Sequence, residues 1–221
     1  MPVTNMEESR IAHNLTQAQV RAPSGRERYH IQMRIKSIAV LPLLWLSLAA
    51  QQVPTDEPRL TKDGQLMRPD NYREWIYLSS GLGMTYGPVD SVSAPSGGNF
   101  DNVFVTPRAY KAFLQTGTWP DKTMFALEVR NSASKGSINN GGHYQEGLAG
   151  LEIHFKDEHR FSTKWAFFEF GGSRQTSKPL PLNSSCQTCH AANGAVDQTF
   201  VQFYPTLIPV AKAKGTYRTE K

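Results

Sequence analysis

The alternation of apolar and polar residues predicts mainly β-structure in the second half of the chain. Apolar side chains recur at every second position, or run on without interruption, in short segments bounded by glycine, proline and charged residues. Glycine-rich stretches between these segments are expected to be loops, at 81–99 and at 134–142. After a first element at 72–79, strands are predicted at 100–105, 123–130, 148–155 and 165–170.

Two segments show helical signals instead. Thr106-Pro107 is typical of the start of a helix, and Gly117 is typical of its end. The second segment, 197–214, contains Pro205 and Pro209, and we expect these prolines to kink or split it. The predicted fold class is therefore α+β, a mainly antiparallel β-sheet domain with a few helices.

The amino-terminal part of the chain follows a different pattern. Its apolar run at 38–46 is too short to span a bilayer, for which about 20 apolar residues are needed, and it follows a basic segment that begins at Met33. The small residues Ser47 and Ala49, on either side of Leu48, are typical of a signal-peptide cleavage site. We therefore predict translation from Met33 and export, to the periplasm or beyond. The predicted divisions are a non-structural extension at 1–32, a signal peptide at 33–50, a linker at 51–70 and a domain at 71–221.

Removal of the presequence changes the charge of the protein. Residues 1–50 carry six Lys or Arg and three Asp or Glu, so the formal net charge falls from +5 to +2. A charge this small gives no support to a nucleic-acid partner. The remaining 171 residues are enough for one domain with a hydrophobic core.

Cys186-Gln187-Thr188-Cys189-His190 is the attachment signature of a c-type haem. In such a site the two thiols form thioethers with the haem, and the histidine binds the iron. The chain has no other cysteine, and covalent attachment takes place after export, which agrees with the predicted signal peptide. We therefore predict one covalently attached haem c per chain near the carboxyl terminus, held by Cys186 and Cys189 with His190 on the iron.

Other uses of the cysteine pair stay open. A zinc site would need two further ligands, which His143, His154 and His159 supply in principle. A dithiol redox pair would be expected beside a βαβ pattern. A disulfide within the motif would close a very short loop and constrain little.

No methionine follows His190 in the sequence. In the common electron-transfer cytochromes c, a methionine downstream of the motif is the second axial ligand. Met67, Met84 and Met124 all precede the motif, so we expect an iron with one protein ligand and an open face. An open face suits the binding of a small gaseous or nitrogenous ligand. Outer-sphere electron transfer to a redox partner protein is the other function class.

Several short segments, taken in their order along the chain, carry a family resemblance. They are Asn71-Tyr72-Arg73-Glu74-Trp75, Asn102-Val103-Phe104-Val105, Thr116-Gly117-Thr118-Trp119-Pro120-Asp121, Gly150-Leu151-Glu152, Trp165-Ala166-Phe167, the cysteine motif and Phe203-Tyr204-Pro205. The chain resembles the cytochrome P-460 and cytochrome c′-beta family over about residues 60–215. The resemblance implies a β-rich fold, usually a homodimer, with a five-coordinate haem on His190. Members of that family oxidise hydroxylamine or bind nitric oxide and related gases.

The chain departs from the hydroxylamine-oxidising members at one position. Those members carry a lysine, bonded to the haem edge, immediately before a glutamate. This chain has Leu127 before Glu128, and leucine forms no such bond, so the resemblance implies the gas-binding branch and weak hydroxylamine oxidation. Alternation along a strand places Phe125, Leu127 and Val129 on one face, where Leu127 and Phe125 are candidates to cap the pocket.

Glu152 is similar in position to the distal carboxylate of the hydroxylamine-oxidising members. The resemblance makes it the candidate catalytic residue, as a proton acceptor, and burial over a haem would raise its pKa. The alternative is a structural role as a partner of Arg130 or of a neighbouring backbone donor. His154 lies two residues further on and shares this face of the strand, and the site would not be open if it bound the iron.

Overall fold

A computed structural model describes residues 56–85 and 98–219. The predicted extension, the signal peptide, the first part of the linker and most of the predicted loop at 81–99 lie outside the described residues. The described residues form a mainly antiparallel sheet with a few helices, so the predicted α+β fold class is confirmed.

Seven strands are present in the described residues: β1 (Leu66–Met67), β2 (Ile76–Leu82), β3 (Asn99–Val105), β4 (Met124–Ala133), β5 (Tyr144–Lys156), β6 (Trp165–Glu169) and β7 (Thr176–Ser177). Strands β2 to β6 form one antiparallel sheet in the order of the chain, and β1 pairs with β7 in a second one. Each predicted strand is found. Strands β4 and β5 extend beyond their predicted ends and form a long hairpin.

The described helices are α1 (Pro107–Thr116), α2 (Ser185–Asn193) and α3 (Ile208–Ala213), with 3₁₀ turns at Tyr72–Glu74 and Val201–Phe203. The longest of them, α1, has ten residues, whereas a helix needs about 20 to cross a bilayer. Helix α1 ends at Gly117, whose φ of 73° terminates it as predicted. The segment 197–214 is split as expected. The first predicted element at 72–79 is a 3₁₀ turn followed by β2, because Trp75 adopts an extended conformation between them.

The two faces of the sheet contribute to two different hydrophobic cores, because successive residues of a strand point to opposite sides. Met124 and Ala126 of β4 belong to the first core, together with Leu151, Ile153 and Phe155 of β5. Phe125 of β4 belongs to the second core. That core also contains buried residues of α1, of the segment between α1 and β4, of α3 and of the carboxyl-terminal segment, among them Phe113, Trp119, Val201, Tyr204, Leu207 and Ala211.

One carboxylate is buried on the first-core face of β4. The side chain of Glu128 accepts hydrogen bonds from Tyr72 Oη (2.6 Å), Arg130 Nε (2.7 Å) and Asn102 Nδ2 (3.1 Å). The guanidinium of Arg73 also binds it. Burial alone would raise the pKa of this carboxyl, but the hydrogen bonds, Arg130 foremost, and the positive charges lower it from 4.5 to about 2. Glu128 therefore joins β4 to β3 and to the first 3₁₀ turn as an ionised group.

Candidate haem site

A cavity of about 710 Å³ lies between the second-core face of the sheet and the segment that contains α2. Pockets for cofactors and other small molecules usually measure roughly 300–1,000 Å³. Strands β2 to β6 all contribute residues to one wall, and α2 with the segment after it forms the opposite wall. The cavity therefore has the size of a cofactor site.

Helix α2 presents the cysteine motif to this cavity. The helix starts after Ser184, whose hydroxyl accepts a hydrogen bond from the backbone N–H of Gln187 (3.4 Å). Cys186 and Cys189 are three residues apart and therefore lie on one side of the helix, and both line the cavity. Both thiols are free of any disulfide. Burial, and to a lesser degree the charge of nearby carboxylates, raises the pKa of Cys186.

His190 follows on the same helix, and its imidazole also lines the cavity. Its Nδ1 lies 2.9 Å from the backbone oxygen of Gln198. A carbonyl oxygen can only accept, so Nδ1 carries the proton and Nε2 keeps its lone pair. Burial lowers the pKa of His190 to about 4, although the Gln198 carbonyl opposes this change. The imidazole is thus neutral at neutral pH, which is the form that binds a metal.

The opposite wall is largely apolar. Phe125, Leu127 and Val129 of β4 all line the cavity, on the single face that strand alternation predicts. Phe125 is buried in the second core, whereas Leu127 and Val129 are partly exposed. In the register of the sheet, Leu127 lies opposite Val103 of β3 and Glu152 of β5. Leu127 is therefore at the middle of this wall.

Two carboxylates stand on the two sides of β4 within the same cavity. Glu152 lines it from β5, and Asp101, which the sequence analysis missed, lines it from β3. Burial, with smaller contributions from Glu169 and Asp101, raises the pKa of Glu152. Burial likewise raises the pKa of Asp101. Arg130, the alternative partner of Glu152, binds Glu128 on the other face instead.

The other possible iron ligands lie in three different places. The ring of His154 lies beside that of His190, with the two centroids 4.8 Å apart. It also stacks on the ring of Phe167, with the centroids 4.0 Å apart. Burial, with a smaller contribution from His190, lowers the pKa of His154 well below 6.5, and its Nε2 has no partner among the described residues. Met124 is in the first core, away from the cavity, whereas Met84 lines the cavity.

Of the three histidines considered as zinc ligands from the sequence, only His154 lines the cavity that contains the two cysteines. His143 and His159 are exposed and do not line the cavity. In the described part of the chain, no group of three or more His, Cys, Asp or Glu side chains is arranged to hold a metal ion.

The residues around the cavity fit a haem of the c type. They provide two thiols one helical turn apart, a neutral imidazole with a free Nε2, and a mainly apolar interior. Aromatic side chains complete the wall beside His190, since Phe200, Phe203 and Tyr204 all line the cavity. The ring centroids of Phe200 and His190 are 4.1 Å apart. Apolar and aromatic walls suit the large flat face of a porphyrin.

Comparison with known proteins agrees with this chemistry. The family model described as Cytochrome P460 matches residues 69–201, a range that includes the main sheet, α2 and all the residues lining the cavity except Phe203 and Tyr204. A search of the curated proteins finds no match. Because the family model covers more than half of the chain, the protein belongs to the cytochrome P460 family and is a haem protein.

Proposed function

We propose that this protein is an exported c-type haem protein that binds small nitrogenous ligands, such as nitric oxide, at an open iron site. In this proposal Cys186 and Cys189 hold one haem covalently, and His190 is the single protein ligand of the iron. When bound, the haem supplies an iron that takes up small gases and exchanges electrons. The observation that carries the proposal is that both thiols and the His190 imidazole line one cavity whose opposite wall is largely apolar.

The opposite wall supports a preference for small neutral ligands. Leu127 and Val129 offer neither hydrogen-bond donors nor acceptors, so a strongly hydrated ion that entered would lose water contacts without replacing them. The carboxylates of Asp101 and Glu152 add negative charge whenever they are ionised, and this charge disfavours anions such as nitrite. Nitric oxide is small and neutral, and therefore suffers neither penalty.

Hydroxylamine oxidation is a second candidate, and the position of Glu152 is the observation that favours it. Its carboxylate lines the cavity, and burial raises its pKa, so it is a stronger base than an ordinary carboxylate and is suited to accept a proton from a nitrogen ligand. A general base of this kind accelerates a reaction by roughly 10²–10⁴-fold. Leu127 lacks the amine that bonds to the haem in the enzymatic members. We therefore expect hydroxylamine turnover to be slow.

Attachment is tested by haem staining of the denatured, purified protein. The unaltered protein should keep its stain, and the double substitution Cys186→Ala with Cys189→Ala should lose it, because no thioether can form. Thr188→Ala lies between the two cysteines and is the matched control, which should keep the stain. Loss of the stain from the unaltered protein on denaturation would refute covalent attachment.

The spectrum of the reduced protein tests the open site. We expect a five-coordinate, high-spin iron that changes its spectrum on addition of nitric oxide. A six-coordinate, low-spin spectrum without added ligand would refute the proposal and indicate electron transfer, with Met84 as the first ligand to substitute.

Steady-state assays with hydroxylamine and an artificial electron acceptor test the second candidate, hydroxylamine oxidation. Rapid turnover there would favour the enzyme, and Leu127→Lys tests whether the missing amine limits the rate.

A further inference from the structure

The carbonyl group that faces His190 belongs to a tight turn of unusual conformation. The turn joins Val196 to Thr199, which exchange backbone hydrogen bonds, and its central residues are Asp197 and Gln198. Their φ angles are 45° and 60°, the positive values that a two-residue type I′ turn requires at both positions. Glycine, asparagine and aspartate favour that conformation, so Asp197 suits its position, whereas glutamine has no such preference at 198. Contacts from the side chains therefore help to hold the turn.

The carboxylate of Asp197 is fixed by two groups of the sheet. Its Oδ2 lies 2.7 Å from Nζ of Lys156, at the end of β5, and its Oδ1 accepts a hydrogen bond from Nε1 of Trp165 (3.2 Å). The side chain of Lys156 is only 7% exposed. Its ammonium group also donates to the backbone oxygen of Trp119 (2.7 Å) and lies 3.2 Å from a carboxylate oxygen of Glu158. Asp197 is thus anchored to a buried cation that is itself fixed to the sheet.

The side chain of Gln198 anchors the other half of the turn. Its Nε2 donates to the backbone oxygen of Thr163 (3.0 Å), and its Oε1 accepts from Nε2 of Gln187 (3.2 Å). Gln187 is a buried residue of the cysteine motif itself. The Gln198 carbonyl is therefore held between the sheet and the helix that carries His190, with its oxygen 2.9 Å from Nδ1 of that residue.

We propose that Lys156 and Asp197 are positioning residues for the haem ligand. Their ion pair keeps the Gln198 carbonyl against Nδ1 of His190, and so sets both the rotation of the imidazole and the donor strength of its Nε2. This inference rests on the proposed function, in which His190 binds the iron. An acceptor on the second ring nitrogen orients a metal-bound histidine and raises its basicity, and loss of such a partner typically weakens metal binding by about 10–100-fold.

Two substitutions break the ion pair while keeping the shape of the site. Asp197→Asn removes the charge, and asparagine tolerates a positive φ, so the turn itself should persist. Lys156→Met removes the ammonium group but keeps an unbranched side chain. If Lys156→Met does not fold, Asp197→Gly serves as the second variant, because glycine adopts the positive φ without strain. Lys122→Met is the matched control, since it breaks another lysine's ion pair with a buried carboxylate, that of Asp157 (2.6 Å), and in the described part of the chain neither residue bonds to Asp197 or Gln198.

The experiment measures the iron–histidine stretching band of each ferrous holoprotein by resonance Raman spectroscopy. It also measures the rate at which His190 leaves the iron when nitric oxide is added. In the Asp197 and Lys156 variants we expect the band to shift to lower frequency and the rate to rise about tenfold. Tenfold is the lower end of the loss of metal affinity that follows when a metal-bound histidine loses its hydrogen-bond partner. The Lys122 control should match the unaltered protein in both measurements. Thermal unfolding is recorded for every variant.

Two results would overturn the inference, and they are distinguishable. Variants that unfold at lower temperature but keep the band and the rate of the unaltered protein would show that the ion pair has a structural role only. An unaltered protein without attached haem, or with a six-coordinate iron, would refute the proposed function and this inference with it. In the first case the proposed function stands, because the unaltered protein still shows its iron–histidine band.

Discussion

The buried carboxylate of Glu128 is expected to make the stability of the sheet depend on pH. Its pKa is lowered from 4.5 to about 2 in the folded protein. One pKa unit corresponds to about 1.4 kcal/mol, so ionisation of this group contributes about 3 kcal/mol to the free energy of unfolding at neutral pH. The contribution is complete above the pKa of the unfolded chain, near 4.5, and is lost as the pH falls towards 2.

The substitution Glu128→Gln removes the charge and leaves the guanidinium groups of Arg73 and Arg130 facing a neutral amide. Loss of one partner of a buried ion pair costs about 3–5 kcal/mol. The side chain of Arg73 is 58% exposed and that of Arg130 is 25% exposed, so both retain some hydration and the lower end of that range applies. We expect a loss of about 3 kcal/mol at pH 7. It shrinks to below about 1 kcal/mol at pH 2.5, because the carboxyl is by then protonated in the unfolded chain while it is still mostly ionised in the folded one.

Urea denaturation of both proteins, followed by circular dichroism over a series of pH values, measures this difference. Glu146→Gln is the control, because Glu146 is an exposed residue of the neighbouring strand, and its substitution should change the free energy of unfolding little at any pH. A difference between Glu128→Gln and the unaltered protein that stays constant from pH 7 to pH 2.5 would refute the reasoning, since it would mean that ionisation of Glu128 contributes nothing.

Three further predictions concern the cavity and the presequence. Glu152→Gln should raise the melting temperature at pH 7 but not at pH 4. Burial raises the pKa of Glu152, so its ionisation destabilises the folded protein only as the pH rises. An equal effect at both pH values would contradict this. Asp101→Asn should tighten the binding of azide, an anion, to the ferric protein by about fivefold, because it removes a repulsion between two negative charges on the order of 1 kcal/mol. Unchanged affinity would show that Asp101 does not act on the ligand. Mass spectrometry of the exported protein should find its amino terminus near Gln51, and recovery of residues 1–32 would contradict the predicted start.

The apolar wall of the cavity could be predicted from the sequence because strand alternation is a local property. Phe125, Leu127 and Val129 share a face whatever their neighbours are. Asp101 was missed although it alternates with Val103 along β3, because its place in the cavity depends on the register between strands. A register is set by pairing partners distant in the chain, and one sequence does not reveal them.

The residues that hold His190 were beyond prediction for a different reason. Gln198 acts through its backbone oxygen, which every residue type possesses, so no residue preference marks the position. Lys156 begins a run of charged and polar residues at 156–160 that is typical of a turn, yet its side chain is buried in an ion pair with Asp197. Helix α2 was not predicted as a helix, because its cysteines and polar residues give no apolar stripe of helical period.

The division of β4 into two faces has an evolutionary consequence. Glu128 and its partners secure the strand on one side, while Leu127 faces the cavity on the other. Under the proposed function, a substitution at 127 would therefore change an inert pocket into a reactive one without touching the contacts that keep the sheet folded. A gas-binding protein and an enzyme would then differ by the change of one codon, or of a few, on the same scaffold. Such a scaffold can change its chemistry while selection for folding continues undisturbed.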